Sequence, residues 1–479
     1  MAGGDLGSDD TGGKPVAEPT GNPADADREG RQWQWVAVIA VPLALILIEL
    51  SRRVGRGLLD QGLPMVLPWP PLLARWDPHT GWGTPLAVIC VLVGLLLQRR
   101  AAVLPWRRLL FAGWLLSLAW MMSLTLIDGF PAGWDALRTP NEYLHDLPRI
   151  GDPLVFLRTF TDYIAFSPTV DGDTVWTTHV AAHPPLATLV FWVLDQVGLG
   201  GWFWAGVLCV LASSLVAVGL PITLRELDAP DAARRMVPFA ALLPGAVWMA
   251  VSADGLFAGV AVGGLAMACR GARRHRVGSS LAGGLLLGAA LYLNYGLVLF
   301  GLTVLVTVAL TARRAGLRSV LLPWVVCVVG VLLVTGALFA LGFNWFTGLA
   351  QLRIRYYQQT AADRPFSYFV WANLAAWLIA WTPLLAYAVV RAVGVLVADR
   401  KAAGSQNRVV ALVALSGVSA ALVADLSAMS KAETERIWLT FGAVAYAGLA
   451  LLRGRGAALG LVLCAGWAIM VNSLLGIGW

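Results

Sequence analysis

The sequence predicts an all-α polytopic membrane protein. Its mean hydropathy is +0.71, and 58% of its 479 residues are hydrophobic while only 13% are charged. Apolar runs long enough to cross about 30 Å of hydrocarbon alternate with short, Arg-rich links. Counting these runs at about 17–25 residues each predicts about 13 transmembrane helices.

The chain divides into four predicted parts. Residues 1–32 are rich in Gly, Asp and Pro and have no apolar face, which predicts a disordered cytoplasmic tail. Two N-terminal transmembrane helices follow within 33–107; the first run lacks a small-residue cleavage site, so we expect an uncleaved anchor. A transmembrane core over 108–343 and C-terminal transmembrane helices over 344–479 complete the division.

Basic clusters between the runs predict the orientation. The predicted spans are 33–50, 84–98, 108–127, 202–222, 236–251, 254–270, 278–293, 295–312, 319–343, 368–395, 408–428, 437–452 and 457–477. The clusters are Arg99-Arg100 with Arg107-Arg108, Arg234-Arg235, Arg273-Arg274 with Arg276, Arg313-Arg314, and Arg400-Lys401. Because basic residues favour the cytoplasmic side, the N-terminus is expected inside and the C-terminus outside. The net charge of +7 lies in these clusters, so no nucleic-acid surface is expected.

The outer loop 128–201 concentrates the titratable residues. It holds three of the five histidines and nine of the 28 acids. The apolar stretch 184–199 within it begins with Pro-Pro and carries Asp195, so we expect a helix at the membrane interface rather than a span. A second outer loop is expected at 344–367. This concentration of polar groups on one face favours chemistry there.

Three acids of the first loop are candidates for a general base. Asp128 stands where a span ends, so it could meet both a lipid-borne donor and a water-soluble acceptor. Partial desolvation would raise its pKa and make it a better base. Asp135 and Glu142 are the alternatives.

Glu142, His145 and Asp146 share one face if their segment is helical. Such a face could bind a sugar or a divalent ion, or it could simply be solvated, since the spacing matches no metal motif.

His179 and His183 are one helical turn apart, but Pro184 disfavours the α conformation at His183, which argues against a zinc pair. His183 could contact an anion at the start of the following helix, or only cap it.

Asp254 lies in Ser252-Ala253-Asp254-Gly255, the predicted tip between two adjoining spans. An unpaired carboxylate near the membrane is costly, so we expect Asp254 to have a partner or water, whether or not it lines the site.

The second half of the chain adds basic and aromatic candidates on the outer face. Arg353, Arg355 and Tyr356 could bind a phosphate and a sugar. Lys431 and Arg436 could bind phosphate or serve as snorkelling anchors.

Asn294 and Tyr295 interrupt an apolar run near a predicted outer end. They could line a groove for a lipid phosphate, or make the turn between two spans.

Together these features resemble the GT-C superfamily of glycosyltransferases, in particular its uncharacterised bacterial integral membrane proteins. In that superfamily an acidic residue ends the span before a large outer loop, as Asp128 does. The loop carries juxtamembrane helices, one of which often opens with His-Pro-Pro, as in His183-Pro184-Pro185. A later hairpin has a small-residue-Asp tip, matched around Asp254. This order of features covers roughly residues 108–310.

The resemblance implies an inverting transferase in a bacterial plasma membrane. It would move a hexose or pentose from a polyprenyl-phosphate donor to an envelope glycan, glycolipid or protein, outside the cytoplasm. Asp128 would act as base, and His183 with outer arginines would neutralise the departing phosphate. The family's membrane-embedded Lys is replaced here around Asn294-Tyr295, so that contact would come from Arg353, Arg355 or Arg436. No cofactor is demanded, although a divalent metal, Mg²⁺ or Mn²⁺, could assist.

Two other functions remain open at this stage. A transporter or lipid flippase would place ionisable residues near the bilayer midplane and often shows inverted repeats, neither of which the sequence displays. A non-catalytic scaffold with a GT-C-like fold would differ from the enzyme only by lacking turnover.

Overall fold

The computed structural model describes residues 23–168, 172–398 and 405–477, and these residues are almost wholly helical. From the N-terminus to the end of the large loop, the helices are α1 (Pro23–Asp60), α2 (Gly83–Arg100), α3 (Trp106–Thr125), α4 (Pro153–Thr159), α5 (Thr178–Ala182) and α6 (Leu186–Gln196). The central helices are α7 (Trp202–Ser214), α8 (Val216–Glu226), α9 (Pro230–Ala241), α10 (Ala246–Met249), α11 (Ala253–Arg274), α12 (Val277–Leu293), α13 (Gly301–Ala315) and α14 (Leu317–Ala340). The C-terminal helices are α15 (Trp345–Tyr357), α16 (Phe366–Trp381), α17 (Leu384–Ala398), α18 (Gln406–Leu426), α19 (Thr434–Ile437), α20 (Leu439–Ala445) and α21 (Gly454–Leu474). Two short strands, β1 (Ala74–Trp76) and β2 (Leu475–Ile477), pair antiparallel.

The all-α polytopic fold class is confirmed. Within the described ranges, nine helices are long and apolar enough to cross a membrane, and the bent pair α16–α17 makes ten if it counts as one span. The other predicted spans take different forms. Residues 236–251 are broken between α9 and α10, and residues 278–293 and 437–452 form shorter apolar helices.

Proline accounts for two of these breaks. Pro244 lies between α9 and α10, and Pro383 lies between α16 and α17, where the chain bends by 104°. A proline disfavours the α conformation in the residue before it and removes a helical hydrogen bond. At the second break Thr382 has a φ of 97°, in a region that β-branched residues rarely adopt.

Helix α1 begins at Pro23, inside the segment for which the sequence predicts a tail. Proline is favoured at the first helical position, and the Ala, Glu, Arg and Gln residues that follow are strong helix formers. These residues therefore extend the helix of the first apolar run. Residues 1–22 lie outside the described residues, as does the Arg400-Lys401 cluster.

Helix α11 lies at the centre of the bundle. It is buried along most of its length and packs against α7, α8, α12 and α20. Small residues let these helices approach closely. A Cβ atom at Gly259 of α11 would overlap the backbone of Ala212 in α7, and one at Gly284 of α12 would overlap that of Cys327 in α14. Helix α1 lies at the periphery, against α16 and α17.

Ion pairs connect several basic clusters at one end of the bundle. Asp228 contacts Arg273 at 2.9 Å and Arg314 at 3.4 Å, and Glu226 contacts Arg274 at 2.7 Å. We call this end the basic face. The opposite end, where α3 finishes and α11 begins, carries the long loop, and we call it the loop face.

Helix α6, which covers most of the stretch 184–199, has 11 residues. At about 1.5 Å per residue it is too short to cross the hydrocarbon layer. It packs beside the turn at Tyr143 on the loop face.

Candidate functional site

A cavity of about 630 Å³ opens on the loop face. Its walls come from the segment after β1, the end of α3, the start of the long loop, the residues around α10 and the C-terminal strand. The lining residues include Arg75, Asp77, His79, Thr125, Asp128 and Ser252.

The strand pair fixes one wall of this cavity. Ala74 pairs with Ile477 and Trp76 with Leu475. The pairing continues beyond the strands, because the backbone N–H of Asp77 donates to Leu474 at 3.0 Å and that of His79 to Ser473 at 2.8 Å. The polar segment 75–79 is thereby held against the end of α21.

Asp128 and His79 contact each other in the wall of the cavity. His79 Nε2 lies 2.9 Å from Asp128 Oδ1, and His79 Nδ1 lies 2.6 Å from the backbone oxygen of Asp77. The Asp77 carboxylate in turn accepts from Arg75 at 3.0 Å. Burial raises the pKa of Asp128 above its ordinary value, and the nearby Asp77 raises it further, although His79 opposes the shift. Asp128 is therefore a carboxylate with the raised proton affinity that a general base needs.

An apolar groove of about 320 Å³ adjoins the cavity between α3 and α7. Thr125 and Gly133 line both spaces, so the two are adjacent. Phe130, Phe203 and Leu211 line the groove and are largely exposed on the outside of the bundle. On a membrane protein such a surface faces lipid.

Five other predicted candidates meet, together with Tyr143, in a separate buried cluster. We call it the Arg436 cluster; it consists of Glu142, Tyr143, His179, His183, Asp254 and Arg436.

Arg436 is the centre of this cluster. Its guanidinium pairs with Asp254, and its Nη2 donates to Glu142 Oε1 at 3.0 Å. His179 Nε2 lies 3.4 Å from the same Glu142 oxygen. All four side chains are buried. The bend after Ala432 and Glu433, which both have positive φ, introduces α19 and so turns Arg436 into the bundle.

The histidines of the cluster are held by the loop backbone. His183 has an extended backbone, as expected before Pro184. Its Nδ1 lies 2.8 Å from both the Tyr143 hydroxyl and the His179 carbonyl oxygen, and its Nε2 lies 3.9 Å from Asp254. These contacts join the long loop to the start of α11.

The charges of the cluster do not balance when both acids are ionised. Burial raises the pKa of Glu142 and lowers the pKa values of His179 and His183. Burial also disfavours the charge on Arg436, but the two carboxylates outweigh it and raise its pKa. Glu142 Oε2 has no hydrogen-bond partner among the described residues. A proton on Glu142 would remove the excess negative charge.

The Arg436 cluster lies beside the cavity without lining it. Ser252 provides the connection: it lines the cavity, and its hydroxyl accepts from the backbone N–H of Asp254 at 3.2 Å. The cluster side chains are engaged with one another. In this arrangement they position the loop, α11 and α19 around the cavity.

Two further loop residues do not form the predicted site. The segment after Glu142 forms short 3₁₀ turns, so Glu142, His145 and Asp146 do not share an α-helical face. Pro148 disfavours the α conformation in the residue before it and so opposes a continuous helix. His145 is exposed. Asp146 is fully buried and accepts from Thr177 and Arg149, which is a loop-fixing role. Asp135 is half-buried and lies between the lining residues Gly133 and Ala136.

The arginines of α15 point in different directions. Arg353 is exposed, whereas Arg355 is buried. Arg355 Nη2 lies 3.5 Å from the Trp176 carbonyl oxygen, and its guanidinium carbon lies 3.7 Å from the Phe166 ring centroid. Its Nε and Nη1 have no hydrogen-bond partner within the described structure. An anion could satisfy these donors.

Tyr356 and Lys431 form contacts between α15 and the 427–433 turn. The backbone N–H of Lys431 donates to the Tyr356 hydroxyl at 2.7 Å, and Lys431 Nζ donates to the Ala361 carbonyl oxygen at 3.0 Å. Both side chains are at least partly buried, so their observed contacts are structural.

Asn294 and Tyr295 make the turn between α12 and α13. Asn294 Oδ1 accepts from the backbone N–H of Gly296 at 2.7 Å, and the Tyr295 side chain is buried against Trp345. This geometry corresponds to the turn that the sequence left open as one of two alternatives.

The polar residues do not fit a divalent metal. Within residues 23–168, 172–398 and 405–477, no group of three or more His, Cys, Asp and Glu side chains could hold an ion. At the cavity the Asp77 carboxylate is engaged by Arg75, which leaves too few oxygen donors for Mg²⁺ or Mn²⁺.

Sequence reasoning missed the segment Arg75-Trp76-Asp77-Pro78-His79. Its signal was present: an Asp, a His and an Arg lie together between two apolar runs. What the sequence could not show is that β1 pairs with a strand 400 residues away, which brings His79 to Asp128.

No protein-family model and no curated protein sequence matches the chain. Two solved structures of the Archaeoglobus fulgidus oligosaccharyltransferase match part of this chain. The structure tethered to an acceptor peptide with the NVT sequon has a TM-score of 0.39 and 12% identity, over 75% of this chain and 55% of that chain. The complex with Zn and sulfate has a TM-score of 0.41 and 11% identity, over 74% of this chain and 52% of that chain. The chain thus spans about half the length of the oligosaccharyltransferase that it matches.

Proposed function

We propose that this protein is a GT-C-type glycosyltransferase that uses a polyprenyl-phosphate sugar at the loop face. The observation that carries the proposal is Asp128, a carboxylate of raised pKa on the wall of a cavity that lies beside a lipid-facing apolar groove. The groove suits the polyprenyl chain and the cavity suits the sugar. The loop face would then be extracytoplasmic and the membrane a bacterial plasma membrane.

The reaction would be an inverting displacement. Asp128 would take the proton of an acceptor hydroxyl, whose oxygen attacks the anomeric carbon of the donor. The bond from that carbon to the phosphate oxygen would break on the opposite side, and its electron pair would leave with the lipid phosphate. Arg75 is the cavity arginine that could offset the developing charge. The sugar, a hexose or a pentose, and the acceptor, an envelope glycan, glycolipid or protein, are open.

The test compares membranes that contain wild type, Asp128→Asn or Asp162→Asn at matched expression. Each receives a panel of radiolabelled polyprenyl-phosphate hexoses and pentoses with cell-envelope acceptors, and the label leaving the lipid is measured. Asp162 is an exposed acid of the same loop that does not line the cavity, so it serves as the matched control.

Wild type and Asp162→Asn should transfer one sugar, and Asp128→Asn should lose about 100-fold or more of that rate, the usual contribution of a general base. Equal transfer by Asp128→Asn would reject Asp128 as the base, and Asp135→Asn would be tested next. Movement of intact lipid-linked sugar across the membrane without transfer would instead favour a flippase.

A further inference from the structure

His79 uses both of its ring nitrogens in contacts within the cavity wall. Nδ1 lies 2.6 Å from the backbone oxygen of Asp77, and Nε2 lies 2.9 Å from Asp128 Oδ1. The backbone pairing of residues 77 and 79 with the end of α21 fixes the position of the ring.

These two contacts determine how many protons the His79–Asp128 pair holds. A carbonyl oxygen only accepts hydrogen bonds, so Nδ1 must carry a hydrogen. A neutral imidazole has one N–H, and its Nε2 would then present a lone pair to Asp128. An ionised carboxylate also only accepts, so the contact at 2.9 Å requires one more proton between Nε2 and Oδ1.

The surrounding charges favour placing that proton on His79. The charged groups around the ring are Asp128 at the end of α3, and Asp77 and Arg75 on its own segment. The neighbouring side chains Ser252, just before α11, and Asn472, in α21, are neutral. Two carboxylates and one guanidinium sum to one negative charge, which an imidazolium neutralises.

We propose that His79 is a positioning residue for the Asp128 base, acting as an imidazolium that binds Asp128 Oδ1 and leaves the second carboxylate oxygen for the acceptor hydroxyl. This proposal rests on the proposed function for its catalytic meaning. During transfer the acceptor proton goes to Asp128 Oδ2, and His79 keeps its own two protons.

The first experiment detects the protonation of the His79 ring nitrogens directly and does not require enzymatic turnover. Protein labelled with ¹⁵N-histidine in detergent micelles is studied by NMR, and among the five histidines the signal missing in His79→Gln identifies His79. At pH 7 the wild type should show both His79 nitrogens protonated. In Asp128→Asn the side-chain amide can donate to Nε2, so the ring should be neutral. A neutral His79 ring at pH 7 in the wild type would overturn the proposal.

The second experiment measures the rate of transfer by His79→Gln and His79→Ala. Glutamine keeps an N–H donor, whereas alanine does not. We expect His79→Ala to lose about 100-fold in kcat with little change in KM, because an unpositioned base loses much of its effect. His79→Gln should recover most of kcat. Unchanged kcat in His79→Ala would reject the positioning role.

The NMR and transfer measurements distinguish a failure of the role proposed for His79 from a failure of the proposed glycosyltransferase activity. Absence of transfer by any form, with the imidazolium present by NMR, would reject the glycosyltransferase and leave the ion pair. Active wild type with a neutral His79 ring would retain the enzyme and reject the role of His79.

Discussion

Arg436 donates to Glu142 from 294 residues away in the chain, at 3.0 Å between Nη2 and Oε1. The same guanidinium pairs with Asp254. One side chain on α19 therefore fixes both the long loop and the start of α11. Since Ser252, next to that start, lines the cavity, the shape of the cavity depends on this buried ion pair.

Replacing Arg436 with methionine should destabilise the protein by about 3–5 kcal/mol, because removing one partner leaves Glu142 and Asp254 buried without a counter-charge. The measurement is the free energy of unfolding in detergent micelles. Arg353→Met, at an exposed arginine, should change it by less than about 0.5 kcal/mol. Adding Glu142→Gln and Asp254→Asn to Arg436→Met should recover part of the loss. A wild-type stability for Arg436→Met alone would show that the cluster does not hold the fold together.

Much of the bundle could be predicted because apolar run length and proline follow local rules. Nine predicted spans correspond to helices of spanning length. The run 368–395 is the instructive error: its composition is apolar throughout, yet Pro383 divides it and the two halves bend by 104°. A single proline hardly changes the count of apolar residues in a window, but it interrupts the helical backbone.

The candidate site could be predicted only in part. Residue types marked Glu142, Asp254 and Arg436 as candidates, because each is charged in an apolar chain. That they form one buried group, and that Asp128 lies in a different place beside His79, depends on contacts between distant segments. Periodicity and composition carry no information about such contacts.

Glu435 should make stability fall as pH rises. Burial is the main cause that raises its pKa from 4.5 to about 7. Because the folded state then holds the proton more firmly than the unfolded chain, this contribution is complete below pH 4.5 and is lost as pH rises through about 7. Relative to Glu435→Gln, which mimics the protonated acid, the wild type should lose about 3 kcal/mol between pH 4.5 and 8. Unfolding midpoints across this range give the difference, with Asp162→Asn as an exposed-acid control. Parallel curves for wild type and Glu435→Gln would contradict the prediction.

Asp146 should stabilise the fold of the long loop and should not bind the sugar. Its buried carboxylate accepts from the Thr177 N–H at 2.8 Å, the Thr177 hydroxyl at 2.9 Å and Arg149 at 2.7 Å. Asp146→Ala leaves these donors unsatisfied and should cost about 3 kcal/mol of unfolding free energy, with Asp146→Asn costing less. The exposed neighbour His145 provides the control through His145→Ala. A raised KM for the donor in Asp146→Asn, with unchanged stability, would instead support the sugar-binding role predicted from the sequence.

Replacing Arg355 should not destabilise the protein, in contrast to replacing Arg436. Its side chain is 5% exposed, and Nε and Nη1 have no hydrogen-bond partner within the described structure. Because burial disfavours this charge and lowers its pKa, Arg355→Met should leave stability unchanged or raise it by about 1 kcal/mol.

If the free donors receive a phosphate, inorganic phosphate at about 100 times its Kd should stabilise the wild type by about 2.7 kcal/mol. Arg355→Met should lose that phosphate-dependent gain, and Arg353→Met should keep it. Thermal unfolding with and without phosphate measures both quantities. A large loss of stability in Arg355→Met would assign the guanidinium a structural role, and a phosphate-dependent gain that persists in that variant would place the anion elsewhere.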